Sequence, residues 1–190
     1  MKIAVIYDGT PLPMIDSPLK EALDISMDVK AISAVLKKHG MTVEILPLHS
    51  PLDLVLRQLR DLNADLVFNL FEGFGEDSAS EYQLASLLEW MKIPYTGCGP
   101  LCLALCHNKA IANGILRYSN IPAPECRLIQ KGEVLTQEPL DFPLIVKPVH
   151  EDGSIGIDSS SVTYTLQELN LMARKIHQKK RGLKKSRKGN

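Results

Sequence analysis

Long apolar stretches are missing from this sequence, and no run approaches the ~20 residues that a membrane-spanning helix requires. A helical membrane protein is therefore not expected. The opening Met1-Lys-Ile-Ala-Val-Ile-Tyr-Asp-Gly9 turns polar too soon to serve as a secretory leader, so a cytoplasmic location is the default. Aromatic residues are scarce at 5%, with one tryptophan, yet apolar residues fill 45% of the 190 positions, enough for a substantial core. There is no internal repeat. A Walker loop, which needs Gly-x-x-x-x-Gly-Lys-Ser/Thr before a helix, is also absent.

Net charge is absent too, but only as a sum. From Arg174 onward nine Lys or Arg occur without one acid, which leaves 13 basic against 22 acidic residues in 1–173. The chain is an acidic body with a basic tail, a pattern shared with nucleic-acid-binding arms. Cysteine occurs only as Cys98, Cys102, Cys106 and Cys126, with none of the Cys-x-x-Cys pairs that metal sites favour, so no metal ligand is assigned. Four-residue spacing stacks the first three along one helix face among Leu101, Leu103, Ala104 and Leu105. They are expected as free, buried thiols, and disulfides are not expected.

Residues 2–7 form a continuous apolar run closed by Asp8-Gly9, as in a strand buried on both faces of a parallel sheet. A proline-broken loop, 10–18, precedes a helix to about Lys38, with Ile25, Val29, Ile32, Val35 and Leu36 on its apolar face and Gly40 at its end. The next strand is 42–46. Residues 51–62 form a helix with Leu52, Val55, Leu56 and Leu59 inward, and 64–69 a third strand. After the loop 70–77, Ser78-x-x-Glu81 caps a helix to Met91. Such alternation argues for a parallel sheet whose ligands gather at the carboxyl ends of the strands. Asp8, Gly9, Asn69, Glu72, Gly73 and Gly75 fall on that edge.

The turn-rich 93–100 marks a boundary, giving segments 1–95, 96–178 and a basic, disordered tail at 179–190. Helices are expected at 101–107 and 108–120, the second carrying Lys109, and a last one from Thr165 to about Gln178 with Thr165-x-x-Glu168 as its cap. Residues 126–130 and 144–147 read as paired strands, with a further strand at 155–158 or at Val162. The strand at 144 delivers Lys147 and opens into the loop His150–Gly156. Lysine supplies a point charge for phosphate oxygens, and glycines let backbone N–H groups approach an anion. An ordinary hairpin with an incidental lysine is the alternative.

Asp65-Leu-Val-Phe-Asn69, the Glu-Gly-x-Gly-Glu-Asp loop at 72–77, Ile93-Pro-Tyr-Thr-Gly97, Asn108-Lys109 and Phe142–Gly156 together resemble the N-terminal portion of the D-alanine–D-alanine ligases, within the ATP-grasp superfamily. The resemblance implies an α/β fold. Residues 1–95 would form a Rossmann-like, parallel three-layer sheet domain (pre-ATP-grasp), and 96–178 the first, incomplete α+β lobe of an ATP-grasp domain. It implies ATP and Mg2+ as cofactors, D-alanine or another amino acid as a small-molecule substrate activated through an acylphosphate, and a homodimer.

Within that resemblance, Lys109 and Lys147 match the lysines that contact ATP phosphates. Ser154 and Gly156 keep the pattern of a Glu-Gly-Ser-Ser-x-Gly phosphate loop, present here as Glu151-Asp-Gly-Ser-Ile-Gly156, while Asp152 and Gly153 depart from it. Glu72, Gly73, Glu76 and Asp77 are candidate substrate contacts, with helix capping as the plain alternative for the acids. The family's Ser-x-Glu-x-Glu-Val-Ser after the first strand is replaced by 11–27, where Ser26 alone is a secure echo. An ATP-grasp ligase of another amino acid or peptide, and a non-catalytic binding protein, are therefore the alternatives. The family's second half, with its catalytic arginine and magnesium ligands, has no counterpart here. A reading frame broken near Lys179 and a chain inactive alone are expected, and no catalytic residue is assigned. Neither a membrane nor nucleic acid is expected as a partner.

Overall fold

A computed structural model describes residues 1–9, 20–74, 80–151 and 153–186, with the backbone alone described for 20–26 and 179–186. These residues fall into two compact units, divided between Ala104 and Leu105.

The first unit is a parallel sheet with helices on both faces. Its strands β1 (Lys2–Asp8), β2 (Thr42–Leu48) and β3 (Leu66–Asn69) lie in the order β2-β1-β3. β1 pairs with β2 from Lys2↔Thr42 to Asp8↔Leu48 and with β3 from Ile3↔Leu66 to Ile6↔Asn69. The central strand has no polar face, because its alternate side chains feed two cores. Ala4 and Ile6 join Leu48, Val55, Leu59, Val67, Phe71, Leu84 and Leu88 on one side, while Ile3 and Val5 meet Val29 on the other. The connecting helices are α1 (Lys20–Lys38), α2 (Leu52–Arg60) and α3 (Ser80–Trp90). Beyond β3, Val67 donates to the Pro94 carbonyl at 2.8 Å and accepts from Thr96 N–H at 3.0 Å, so 94–96 adds a short fourth rung.

Two expected inward faces shift. In α1 the buried positions are Val29 and Ser33, flanked by half-buried Ile32 and Leu36, whereas Val35 is 55% exposed. A stripe through 29, 33 and 36 puts Val35 on the outer flank, and Ser33 is buried within it. Leu52, the first residue of α2, is 60% exposed, since the buried stripe begins one turn later at Val55 and Leu59. The loop 10–18, the cap residue Ser78 and the side chain of Ile25 lie outside the described residues.

The second unit is thinner. It contains α5 (Lys109–Tyr118), the antiparallel pair β4 (Leu144–Ile145) and β5 (Val162–Thr163), and α6 (Leu166–Ser186). A short helix, α4 (Pro100–Cys106), precedes it and has no buried residue. Residues 126–130 are not a strand. β4 takes β5 as its partner instead, and 126–130 stay exposed apart from half-buried Ile129, so their strand propensity has no ladder to complete. Residues 155–158 form a turn and extended backbone rather than a strand, with the Ile157 amide donating back to the Ser154 carbonyl at 3.0 Å. Thr165 begins α6 as expected: its Oγ1 accepts from Glu168 N–H at 3.2 Å, and the Glu168 carboxylate accepts from Tyr164 N–H at 2.7 Å. The helix then continues through 179–186, where a disordered tail was expected, as Lys and Arg are good helix formers. All four cysteines are free, but they are exposed rather than buried; Cys102 and Cys106 lie on α4, which has no buried residue.

Candidate phosphate-binding site

The site is built on two chain segments, 107–109 and 147–156. Asn108 is the N-cap of α5, its side-chain oxygen accepting from the amides of Ala110 and Ile111, both at 3.1 Å. That cap fixes where the helix starts and therefore the direction in which Lys109 leaves it. The Lys109 amide donates to the Val149 carbonyl at 3.1 Å, and its Nζ donates to the Glu151 carbonyl. From the other side, His150 Nδ1 lies 3.1 Å from the His107 carbonyl oxygen. A carbonyl can only accept, so Nδ1 carries the proton. Lys109 is thus held at both ends to the chain that leaves β4.

Lys147 follows directly on that ladder. Val146 N–H donates to the Ser161 carbonyl at 2.8 Å, Pro148 is buried, and Lys147 between them is exposed. A buried proline after an exposed lysine keeps the lysine extended and outward. The loop that follows contains three left-handed residues, Gly153 (φ +56°), Ser154 (φ +61°) and Gly156 (φ +77°). Turns of this kind are the backbone form of anion-binding concavities. Gly156 meets a second demand: a Cβ there would sit 3.3 Å from Pro148 Cγ, so the loop returns closely onto the strand exit. Ser154 keeps a conformation that costs an L-residue on the order of 1–2 kcal/mol, and strain of that size collects at ligand sites. Asp152 lies outside the described residues.

The loop is anchored downstream by Asp158, which caps the 3-10 turn Ser159–Ser161. Hydrogen bonds from the Ser160 hydroxyl and amide, with Lys175 3.8 Å away, hold its carboxyl below the usual range.

The candidate substrate residues belong to the first unit. Gly73 is buried with φ +117°, and Glu72 beside it is exposed. Their loop is pinned where it leaves β3: Leu70 N–H donates to the Ile6 carbonyl at 2.9 Å, Phe71 N–H to Asn69 Oδ1 at 3.1 Å, and Asn69 N–H to Thr96 Oγ1 at 3.1 Å. Gly9 is fixed by the same edge, since a Cβ there would lie 2.5 Å from His49 Cε1. Glu76, Asp77 and Gly75 lie outside the described residues. Two contributors escaped the sequence reading, the Asn108 cap and the carbonyls of Val149 and Glu151. An Asn two residues before the apolar run 110–112 was the available signal for the first; main-chain acceptors leave no signal in a sequence.

Curated proteins similar to this chain are D-alanine–D-alanine ligases. That of Sinorhizobium fredii is 37% identical over 100 residues, covering 52% of this chain and 31% of the ligase. That of Syntrophotalea carbinolica is 34% identical over 170 residues, 88% of this chain and 50% of the ligase. The crystal structure of the Bacillus anthracis ligase complexed with ATP superposes with a TM-score of 0.71 at 25% identity, covering 94% of this chain and 55% of that one. The chain resembles the N-terminal part of the D-alanine–D-alanine ligases. It spans about a third to a half of the length of these curated relatives. No family model matches it. Its parallel three-strand sheet and following helices match the N-terminal region of the ligase fold.

Proposed function

We propose that this chain binds ATP by its phosphates through Lys109, Lys147, Ser154 and Gly156, and that it serves the ligase reaction of its relatives, joining amino acids by way of an acylphosphate. The observation that carries the reading is the double tether of Lys109 to Val149 and Glu151, which presets a cation beside a left-handed loop. The chemistry asks for such cations. A carboxylate attacking a terminal phosphate brings two anions together, so positive charge must offset the repulsion and hold the reactants in line. A lysine already held in place loses less conformational freedom on binding than a free one.

Magnesium, when bound, neutralises phosphate charge in reactions of this class. Among the described residues no group of three or more His, Cys, Asp or Glu could hold a metal ion, so the fit fails there and no step is derived through it. The proposal therefore assigns phosphate binding, not the complete reaction, to this chain. Glu72 and Gly73, with Glu76 and Asp77, are proposed to receive an amino-acid substrate, whose ammonium group a carboxylate of this set would suit. D-alanine is the first candidate and another amino acid the second, because 11–27 departs from the family's substrate motif. No helix among the described residues is long and apolar enough to cross a membrane; a cytoplasmic location and a homodimer belong to the proposal on the strength of the family resemblance alone.

Calorimetric titration of the full chain with ATP tests the reading, with tripolyphosphate and adenosine as competitors. Tripolyphosphate is expected to displace ATP and adenosine is not. Displacement by adenosine alone, or no binding at millimolar ATP, would contradict it.

A further inference from the structure

Three hydrogen bonds join the segment 107–109 to the chain leaving β4, and one of them comes from a titratable ring. The amide and Nζ of Lys109 donate to the carbonyls of Val149 and Glu151. His150, the residue between those two, reaches back through Nδ1 to the His107 carbonyl at 3.1 Å. Position 150 is thus held on either side by the lysine proposed to meet phosphate, while its own side chain is exposed. An imidazole anchored through Nδ1–H carries Nε2 on the far edge of the ring, and in the neutral form that nitrogen only accepts. It becomes a donor by taking up a proton.

On the basis of the phosphate site proposed above, on which the inference rests, we propose that His150 is a third phosphate-binding cation beside Lys109 and Lys147. Its Nδ1–H keeps the ring on the His107 carbonyl. Its Nε2 takes a proton from solvent when a polyphosphate binds and donates a hydrogen bond to a phosphate oxygen.

The chemistry suits the position. Phosphoryl groups carry dense negative charge that positioned cations must offset. Histidine changes charge between about pH 5 and 8, and an anion within about 4–6 Å favours its charged form. On the segments that meet at the ring, the titratable and charged groups among the described residues are His107, Lys109 on α5, Lys147 at the exit of β4, and Glu151. The His107 ring lies 6.3 Å away, centroid to centroid, tilted by 52°. Binding that needs a protonated ring consumes a proton wherever the free ring is neutral, so affinity gains as pH falls across the neutral range.

The test is calorimetric titration of the full chain with ATP, for the wild type and His150→Asn, in Tris and in PIPES, two buffers of unlike ionisation enthalpy. Asparagine keeps an N–H at the place of Nδ1, and so the tie to His107, but cannot titrate. Protonation of ATP itself is common to both proteins. Near neutral pH the wild type is expected to take up more protons than His150→Asn, by up to about one per ATP bound. The ratio of their affinities is expected to grow about tenfold from about pH 8 to about pH 6, as a charge-assisted hydrogen bond replaces none. In the chain without ATP, ring-nitrogen chemical shifts of His150 are expected to report the Nδ1–H tautomer. Equal proton uptake with a pH-independent ratio, or the Nε2–H tautomer, would overturn the role of His150 and leave Lys109 and Lys147 in place. Absence of ATP binding in both proteins would overturn the phosphate site itself, and this role with it.

Discussion

The two units of this chain are held by different means. Of the buried apolar side chains among the described residues, thirteen lie in 1–104 and only Leu169, Met172 and Ala173 in 105–190. The first unit is a layered sheet whose stability comes from burial. The second leaves Ile111, Tyr118, Ile145, Tyr164 and Leu171 between 48% and 91% exposed, and rests on caps, turns and main-chain bonds such as those at Asn108, Asp158 and Thr165. The residues proposed to bind phosphate all belong to the thinner unit. Regions with few buried contacts open at low free energy, and ligand-binding loops are drawn from them.

The largest expected effect is a core truncation that separates the units by cost. Leu88→Ala removes a fully buried side chain from the larger core and is expected to destabilise by about 3–5 kcal/mol in urea unfolding. Leu169→Ala, in thinner surroundings that can collapse, is expected to cost about 2 kcal/mol or less. Equal costs would break the contrast. Next in size, Lys109→Ala is expected to weaken ATP binding by about tenfold to a hundredfold, the loss of one charge-assisted hydrogen bond, while the unfolding midpoint of the first unit stays in place.

A smaller effect should split stability from function. Ser154→Gly relieves the left-handed strain at φ +61°, and its unfolding free energy is expected to rise by up to about 1 kcal/mol while ATP affinity falls. A variant that gains stability and keeps its affinity would remove Ser154 from the site. The smallest effect concerns acid. The Asp158 carboxyl titrates below its ordinary value, so its contribution is present above the unfolded pKa and is lost as pH falls through the folded one. Protection of amides 158–161 from hydrogen exchange should accordingly drop below about pH 4, before that of β1.

Much of the first unit was readable from the sequence because burial there follows a simple period. The run 3–6 and the stripe of α2 face apolar layers. The exceptions, Val35 and Leu52, sit at the edge of a stripe, where periodicity cannot say which way the helix is rolled. Beyond the sheet the strand pattern of 126–130 and the apolar neighbourhood of the cysteines do not lead to burial, because nothing among the described residues covers them. Lys109, Lys147, Ser154 and Gly156 were readable as a motif. The carbonyls of Val149 and Glu151 that hold Lys109 were not, because every residue type carries one.

The most direct test of the central claim is to follow amide chemical shifts of the isotope-labelled chain during an ATP titration. The account predicts that shifts concentrate at 107–110 and 147–157, with β1 and the 69–73 exit nearly unchanged. Shifts centred on Asp8, Gly9 and 69–73, with Lys109 and 153–156 silent, would place the nucleotide on the layered sheet and contradict it.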